Sequence, residues 1–154
     1  MPTLKAIVSG GQTGVDRAAL DAARCSGLEA RGWCPAGRRA EDGAISPEYL
    51  LIETPSRGYR QRTKWNVRDS DATLILYRGE MTGGTALTVK FAAELGRPVL
   101  AVELGQADAG AVRRWLGENH VTILNIAGPK ETKNPAIYAE AREFLRLVLL
   151  AGQA

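Results

Sequence analysis

Short apolar runs alternate five times with amphipathic helical patterns along this chain of 154 residues. Strands and helices that alternate in this way build a parallel sheet with helices on both faces. The sequence therefore predicts an α/β fold, a three-layer sandwich around a five-stranded, mainly parallel sheet. The predicted strands span residues 4–9, 28–34, 72–77, 98–102 and 121–126, and the predicted helices span residues 15–26, 59–69, 85–95, 109–118 and 135–150.

Two details of this pattern concern its boundaries. Pro135 opens the last predicted helix, because proline suits a first helical turn. Residues 35–58 fit neither pattern, since prolines and glycines interrupt them throughout. A connection of that length is either functional or disordered in a compact domain. The length of the chain suits a single domain over residues 1–154.

The charge and the ligand-forming residues exclude several classes of protein. Twenty Lys and Arg against 17 Asp and Glu leave a net charge of +3, too small for bulk attraction to DNA. The side chains of Cys25, Cys34 and His120 cannot complete a closed zinc site, so no metal site is predicted, and His120 is expected in a surface loop. No apolar run approaches the roughly 18 residues of a membrane helix. Two cysteines without a leader sequence favour the cytoplasm.

A glycine-rich loop joins the first predicted strand to the first helix. Residues 9–14 read Ser-Gly-Gly-Gln-Thr-Gly. Glycines allow close approach to a ligand, and the following helix directs free N–H groups at it, an arrangement that binds phosphate. The alternative is a tight turn that merely requires glycine. An acidic residue to hold a ribose is missing after the second strand, and no Walker lysine follows the loop.

A second glycine-rich loop follows the third predicted strand, where residues 79–85 read Gly-Glu-Met-Thr-Gly-Gly-Thr. Two such loops favour an anion site over two unrelated turns. The predicted order of the strands in the sheet is 2-1-3-4-5, because this order places both glycine loops at one switch point. Ligands bind at such points in open α/β sheets. Residues 127–129 end the fifth strand at the same edge, either as a third wall of the site or as a plain connection.

Five basic residues and two aromatic rings fall within residues 57–68, a stretch without acidic residues. Arginine binds phosphate as a fork, and Trp65 or Tyr59 can stack on a flat heterocycle. Arg39 adds charge from the preceding connection. The alternative is a solvated helix face with Trp65 packed into the core. Single-stranded nucleic acid would use the same features, but the small net charge counts against it.

Four segments together resemble the molybdenum carrier protein family: residues 9–21, 32–43, 61–71 and 82–85. Residues 127–131 fit the same pattern. The resemblance implies a Rossmann-like fold of the wider group that includes the algal molybdenum-cofactor carrier, DprA and the "lysine decarboxylase-like" phosphoribohydrolases. It also implies a nucleotide-like or pterin-phosphate ligand. Molybdenum cofactor is a flat pterin that carries a phosphate, so glycine loops, arginines and a stacking ring suit it chemically.

The chain departs from the enzymes of that wider group at one position. Those enzymes carry Gly-Gly-x-Gly-Thr-x-x-Glu, whereas the matching stretch here, residues 83–90, has threonine and lysine where the glutamate is expected. The phosphoribohydrolase mechanism therefore lacks its carboxylate there. Asp16, Glu41, Asp42 and Asp69 are the carboxylates that could replace it. No catalytic residue is assigned, and a binding or carrier role is favoured over catalysis.

Three hypotheses for function follow from these observations. The first is a carrier or binding protein for a phosphorylated heterocycle, with molybdenum cofactor or a nucleotide as ligand and molybdoenzymes as recipients. The second is a nucleotide-processing hydrolase in the same crevice, and the third is a single-stranded nucleic-acid-binding module. A homo-oligomer is expected, because Leu147, Leu149 and Leu150 extend beyond one helical stripe. The residues expected at the ligand are Gly10, Gly11, Gln12, Thr13, Gly14, Arg39, Trp65, Arg68, Gly83, Gly84 and Thr85.

Overall fold

Five strands form the central sheet of the computed structural model, which describes residues 3–81 and 83–151. Two further pairs of short strands lie outside that sheet. In chain order, the strands are β1 (Ala6–Val8), β2 (Glu29–Arg31), β3 (Trp33–Cys34), β4 (Arg39–Ala40), β5 (Gly43–Ala44), β6 (Ile52–Glu53), β7 (Ala72–Tyr77), β8 (Val99–Glu103) and β9 (Ile123–Ala127), and the helices are α1 (Val15–Cys25), α2 (Tyr59–Arg68), α3 (Gly83–Glu94), α4 (Ala109–Glu118) and α5 (Ile137–Ala151).

The central sheet has the order β2-β1-β9-β7-β8, and all neighbouring strands are parallel. Helices α1, α4 and α5 cover one face, and α2 and α3 cover the other. The predicted α/β class and three-layer sandwich are confirmed. The structure corrects the predicted order 2-1-3-4-5, because the fifth strand of the sheet, β9, lies between the first and the third.

The burial of β9 explains its central place. Leu124 of β9 lies opposite Ile7 of β1, and Ile126 lies opposite Leu74 of β7. All four side chains are fully buried. By contrast, β8 forms an edge of the sheet, and its residues are partly or fully exposed. A strand covered on both faces belongs inside a parallel sheet, and β9 meets that requirement better than β8 does.

The predicted second strand, residues 28–34, breaks at Gly32. The φ angle of Gly32 is +150°, and a Cβ there would overlap the carbonyl oxygen of Ser9 and lie 2.9 Å from its nitrogen. The chain therefore approaches β1 too closely at this point for any residue but glycine. Beyond the break, β3 pairs with β6 in a separate two-stranded sheet.

Residues 35–58, which no sequence pattern assigned, fold around one arginine. The guanidinium of Arg38 donates to four backbone carbonyls, those of Ile45 (3.0 Å), Ser46 (2.8 Å), Tyr49 (2.8 Å) and Leu51 (3.2 Å). A small second core of Leu20, Cys34, Ile45 and Leu51 lies in the same region. The charge of Arg38 is thus committed to holding this connection together.

The last helix begins later than the sequence predicts. It starts at Ile137, and Pro135 lies outside it. The φ angle of Ala136 is +77°, which no helical residue adopts. The carboxylate of Glu131 accepts hydrogen bonds from the backbone N–H groups of Ala136 and Tyr138, both at 2.9 Å, and so provides the helix start that proline was expected to provide.

The C-terminal leucines divide between the core and the surface. Leu149 is buried in the main core of the protein itself, whereas Leu147 is 45% exposed. The side chain of Leu150 lies outside the described part of the structure. The structure thus leaves Leu147 as the apolar residue of α5 that a partner could cover. Across residues 3–81 and 83–151, no helix has the length and apolar character needed to cross a membrane.

Candidate functional site

A cleft of about 410 Å³ opens at the carboxyl ends of β1, β9 and β7. Helix α1 carries the chain from β1 toward one edge of the sheet, and α3 carries it from β7 toward the other edge. The cleft therefore lies at the switch point, where α/β sheets bind ligands. Since β9 separates β1 from β7, the ends of the two strands that lead into the glycine loops lie about 10 Å apart. The cleft is lined by Gly10, Gln12, Asp16, Tyr59, Arg62, Thr63, Asn66, Gly83, Gly84, Thr85, Leu87, Thr88, Asn125, Ile126, Ala127, Gly128, Pro129, Lys130 and Lys133.

The backbone N–H groups of the first glycine loop are largely taken by the protein. A phosphate-binding loop needs free N–H groups, and this loop has few to offer. The first loop therefore contributes the side chain of Gln12 and the backbone around Gly10 to the cleft lining. The bonds run from Gly11 to Ser9 Oγ (3.4 Å), from Gln12 to Asp16 Oδ2 (3.3 Å), from Thr13 to Gln12 Oε1 (3.0 Å) and from Val15 to Pro129 O (3.2 Å).

Two glycines of the first loop lie in close contact with neighbouring groups. Gly14 has φ +78°, and a Cβ there would overlap Pro129 O and lie 2.8 Å from Glu131 N. A Cβ on Gly10 would overlap the guanidinium of Arg62, which donates to Gly10 O at 2.8 Å. Gly14 allows the loop after β1 to contact the loop after β9. Gly10 allows the buried guanidinium of Arg62 to pack against the first loop.

The second glycine loop differs, because its glycines face open space. A Cβ on Gly83 or Gly84 would meet no atom of the described structure within 4 Å. Both belong to the first turn of α3, where N–H groups lack helical acceptors and the helix dipole attracts anions. Lys130 and Lys133 line the same cleft. The cleft as a whole therefore offers open space at a helix N-terminus and two lysines in its lining, which provide the room and the positive charge that a phosphate requires.

Asp16 and Arg62 form an ion pair inside the cleft. Asp16 is 7% exposed, and its Oδ2 lies 3.8 Å from Arg62 Nη1. Burial raises the pKa of Asp16 to about 6, although Arg62, the N–H of Gln12 and Arg17 all lower it. A carboxyl with a pKa near neutrality in a cleft can exchange a proton with a ligand.

The raised pKa of Asp16 predicts a distinct pH dependence of stability. A folded-state pKa above the unfolded value means that ionisation of Asp16 opposes folding as the pH rises through that range. We expect the free energy of unfolding of the wild type to fall by about 2 kcal/mol relative to Asp16→Asn between about pH 4 and about pH 7. Urea unfolding at a series of pH values measures this difference.

Asp71 provides a control of opposite sign. Although burial opposes its ionisation, hydrogen bonds from Ile123 and Thr122 hold the pKa of Asp71 below its usual value. The wild type should therefore gain stability relative to Asp71→Asn as the pH rises through the acidic range. A stability difference between wild type and Asp16→Asn that stays constant with pH would contradict the raised pKa of Asp16.

Two buried amides add a donor and an acceptor to the cleft. Oε1 of Gln12 accepts from the N–H groups of Thr13 (3.0 Å) and Glu41 (2.8 Å), so its Nε2 remains for a ligand. Nδ2 of Asn125 donates to Thr73 Oγ1 (3.2 Å), so its Oδ1 remains as an acceptor. Sequence reasoning named Gln12 but missed Asn125. Asn125 is a polar residue inside the apolar run of the fifth predicted strand, and this position could have indicated that it faces a ligand site.

The structure places Trp65 and Arg68 outside the cleft lining. The ring of Trp65 packs edge-on against Trp33 at a centroid distance of 4.8 Å. The Arg68 guanidinium lies 4.7 Å from the centroid of the Trp65 ring and pairs with Asp69 at 2.8 Å. These residues form a separate aromatic surface on α2.

Two residues of the basic, aromatic stretch 57–68 line the cleft, Tyr59 and Arg62. Neither was among the residues that the sequence predicted at the ligand. The Cζ atoms of Arg39 and Arg62 lie 5.3 and 5.1 Å from the centroid of the Tyr59 ring. Arg39 thus adjoins the cleft through Tyr59. Arg62 is 8% exposed, whereas Arg57, Arg60, Lys64 and Arg68 are exposed.

The predicted ligand residues therefore divide by position. Gly10, Gln12, Gly83, Gly84 and Thr85 line the cleft. Thr13 lies beside it, with its hydroxyl bonded to Glu41 and to the N–H of Glu131 (3.1 Å). The Cβ of a side chain at Gly11 would point at Leu51 and Ile45, away from a ligand. Residues 127–129, for which the sequence left a third wall and a plain connection open, line the cleft.

Comparison with known proteins identifies the family. Residues 7–149 match the model of the circularly permutated YpsA SLOG family. The chain belongs to this family. It is also similar to the crystal structure of a "Putative molybdenum carrier protein" from Syntrophus aciditrophicus SB, with 41% sequence identity, a TM-score of 0.91 and coverage of 96% of both chains. No curated protein matches the chain.

These matches confirm the family resemblance drawn from the glycine loops and the Trp-Asn segment of this SLOG protein. The N-terminus of α3, Lys130, Lys133, Asp16, Gln12 and Asn125 all line its cleft. In the described part of the chain, no group of three or more His, Cys, Asp or Glu residues is placed to hold a metal ion. His120 is exposed in a turn with φ +52°, as expected for a surface loop.

Proposed function

We propose that this protein binds a phosphorylated heterocycle in the cleft, and that its ligand is carried as cargo. The observation that carries the proposal is the open first turn of α3. Gly83 and Gly84 leave space there, and Lys130 and Lys133 line the same cleft. An anion at a helix N-terminus is stabilised by free N–H groups and by the helix dipole.

The rest of the ligand extends from α3 toward the first glycine loop. Both loops contribute residues to the same cleft, and β9 lies between the strands that lead into them. In this proposal they hold opposite ends of one ligand, and the second loop holds its phosphate. The ring of Tyr59 and the polar atoms of Gln12 and Asn125 line the space between them. A flat ring with hydrogen-bonding edges, such as a pterin or a nucleobase, suits those groups.

The carrier interpretation names molybdenum cofactor as the leading ligand. The similar protein from Syntrophus aciditrophicus SB is described as a molybdenum carrier, and the cofactor is a pterin with a phosphate. Molybdoenzymes would then be the recipients. We place the exchange in the cytoplasm, which suits the free thiols of Cys25 and Cys34. A second copy of the chain would cover Leu147 in a homo-oligomer.

Calorimetric titration with molybdopterin and a panel of nucleoside monophosphates tests the proposal. At least one of these compounds is expected to bind with a Kd well below about 1 mM, as befits a specific site. The same experiment with inorganic phosphate alone shows how much of the affinity the anion supplies. The proposal fails if no phosphorylated compound binds in that range.

The buried carboxyl of Asp16 favours a second candidate function, the hydrolysis of a nucleoside monophosphate. Water would add to C1′ of the ribose while the N-glycosidic bond breaks, which releases the base and ribose 5-phosphate. Asp16, with its pKa raised to about 6 by burial, would take the proton from the attacking water. Chromatography after incubation should then show free base with the wild type and none with Asp16→Asn. Absence of free base from the wild type removes this candidate.

A further inference from the structure

The hairpin of β4 and β5 places one carboxylate beside the cleft. Glu41, in the turn of this hairpin, accepts hydrogen bonds from the hydroxyls of Thr13 and Thr132 and from the N–H of Thr132 (3.2 Å). Its Oε1 also lies 3.9 Å from Nζ of Lys130, which lines the cleft. The carboxylate thus receives three donors and one cation from the loops after β1 and β9.

These groups are the kind that bind a phosphate. Hydroxyls, a backbone N–H and an ammonium form charge-assisted hydrogen bonds with any oxyanion of suitable size. The side chain of Glu41 is only 15% exposed. Burial opposes its ionisation, but the hydrogen bonds from Thr13 and Thr132 outweigh it and hold the pKa of Glu41 below its usual range. An anion therefore already fills this set of donors.

The hairpin that carries Glu41 is small. Each of its strands has two residues, and both residues of β5 are exposed. Besides the carboxylate of Glu41, its turn is held by the ion pair of Asp42 with Arg17 (2.7 Å) and by the bond from the N–H of Glu41 to Gln12 Oε1 (2.8 Å). Arg38 and the buried Ile45 hold the two ends of the hairpin in place, so the part that can shift at low cost is its short turn.

We propose that Thr13, Lys130 and Thr132 form a second anion subsite beside the cleft, which Glu41 occupies until a phosphate or other oxyanion displaces it. The inference rests on the proposed function, because the ligand that places its phosphate at α3 would place a second anionic group in this subsite. Glu41 then acts as an internal competitor, and its departure frees the turn of the hairpin. If the carboxylate of Glu41 served only to hold the hairpin in place, its removal would weaken ligand binding and not strengthen it.

Titration of the protein with inorganic phosphate, followed by the backbone amide NMR signals of Glu131 and Thr132, separates the two roles. Glu41→Gln keeps the shape of the side chain and removes its charge. We expect it to bind phosphate about tenfold more tightly than the wild type at these signals. Glu41→Ala, which empties the subsite, should show a gain of the same sign.

Asp42→Asn is the matched control, because it removes the neighbouring charge and weakens the same turn without touching the donors that bind Glu41. It should leave phosphate affinity at Thr132 unchanged. Thermal unfolding of all three variants shows that each remains folded. Equal or weaker phosphate binding by both Glu41 variants would overturn the inference. That result leaves the proposed function standing if a phosphorylated compound still binds at the α3 signals of Gly83 and Gly84.

Discussion

Replacement of Gly84 by aspartate is expected to weaken the binding of a phosphorylated ligand by about a thousandfold, because like charges brought together cost several kcal/mol. The new carboxylate would project into the open space at the first turn of α3. The fold should not suffer, since aspartate is a better helix residue than glycine and suits the positive end of the helix. Titration calorimetry and urea unfolding measure the two effects.

Ala86→Asp is the matched control for this variant. It adds the same charge to the same end of α3, but Ala86 is exposed and is not among the residues that line the cleft. We expect it to lower affinity only slightly, because a solvent-exposed charge is screened. Equal losses of affinity in Gly84→Asp and Ala86→Asp would mean that the added charge acts through the overall electrostatic potential at the start of α3 and not on a phosphate bound next to Gly84. Unchanged affinity in Gly84→Asp would remove the phosphate from this end of the cleft.

Replacement of Gly14 by alanine is expected to lower the free energy of unfolding by about 4 kcal/mol. Gly14 has φ +78° and ψ −130°, a combination that strains any residue with a Cβ more than the left-handed helical region does. The added methyl would also overlap Pro129 O and press on Glu131 N at 2.8 Å. Backbone atoms cannot move aside as a flexible side chain can, so overpacking adds to the strain. Urea unfolding measures the loss.

Gly27→Ala measures the cost of a positive φ without a steric contact. Gly27 has φ +73°, and a Cβ there meets nothing within 4 Å. Only the conformational strain applies, so we expect a loss of about 1 kcal/mol. Similar losses at both positions would show that the contact between the loops after β1 and β9 contributes little to stability.

The alternation of apolar runs and helical patterns was sufficient to predict the α/β class. Strand β7 and helix α4 lie at their predicted bounds, Ala72–Tyr77 and Ala109–Glu118. The order of strands was not predictable in the same way, because the runs that became β8 and β9 look alike in sequence. Their places depend on long-range pairing, and only the burial of Leu124 and Ile126 on both sides distinguishes the central strand.

The same limit applies to the cleft. The two glycine loops look equivalent in sequence, yet Gly14 is needed for contact with Pro129 whereas Gly84 faces open space. Residues 115 positions apart decide that difference, and no local pattern reports it. Arg62 stood out only as one cation among several, and its burial under Gly10 depends on how α2 packs against the first loop.

The affinity of wild type and Gly84→Asp for one ligand in two forms tests the central claim most directly. The best-binding phosphorylated compound and its dephosphorylated counterpart are titrated into both proteins by calorimetry. The account predicts that loss of the phosphate weakens binding to the wild type by at least about a hundredfold and has little effect in Gly84→Asp. Equal affinity of the wild type for the two forms would contradict it.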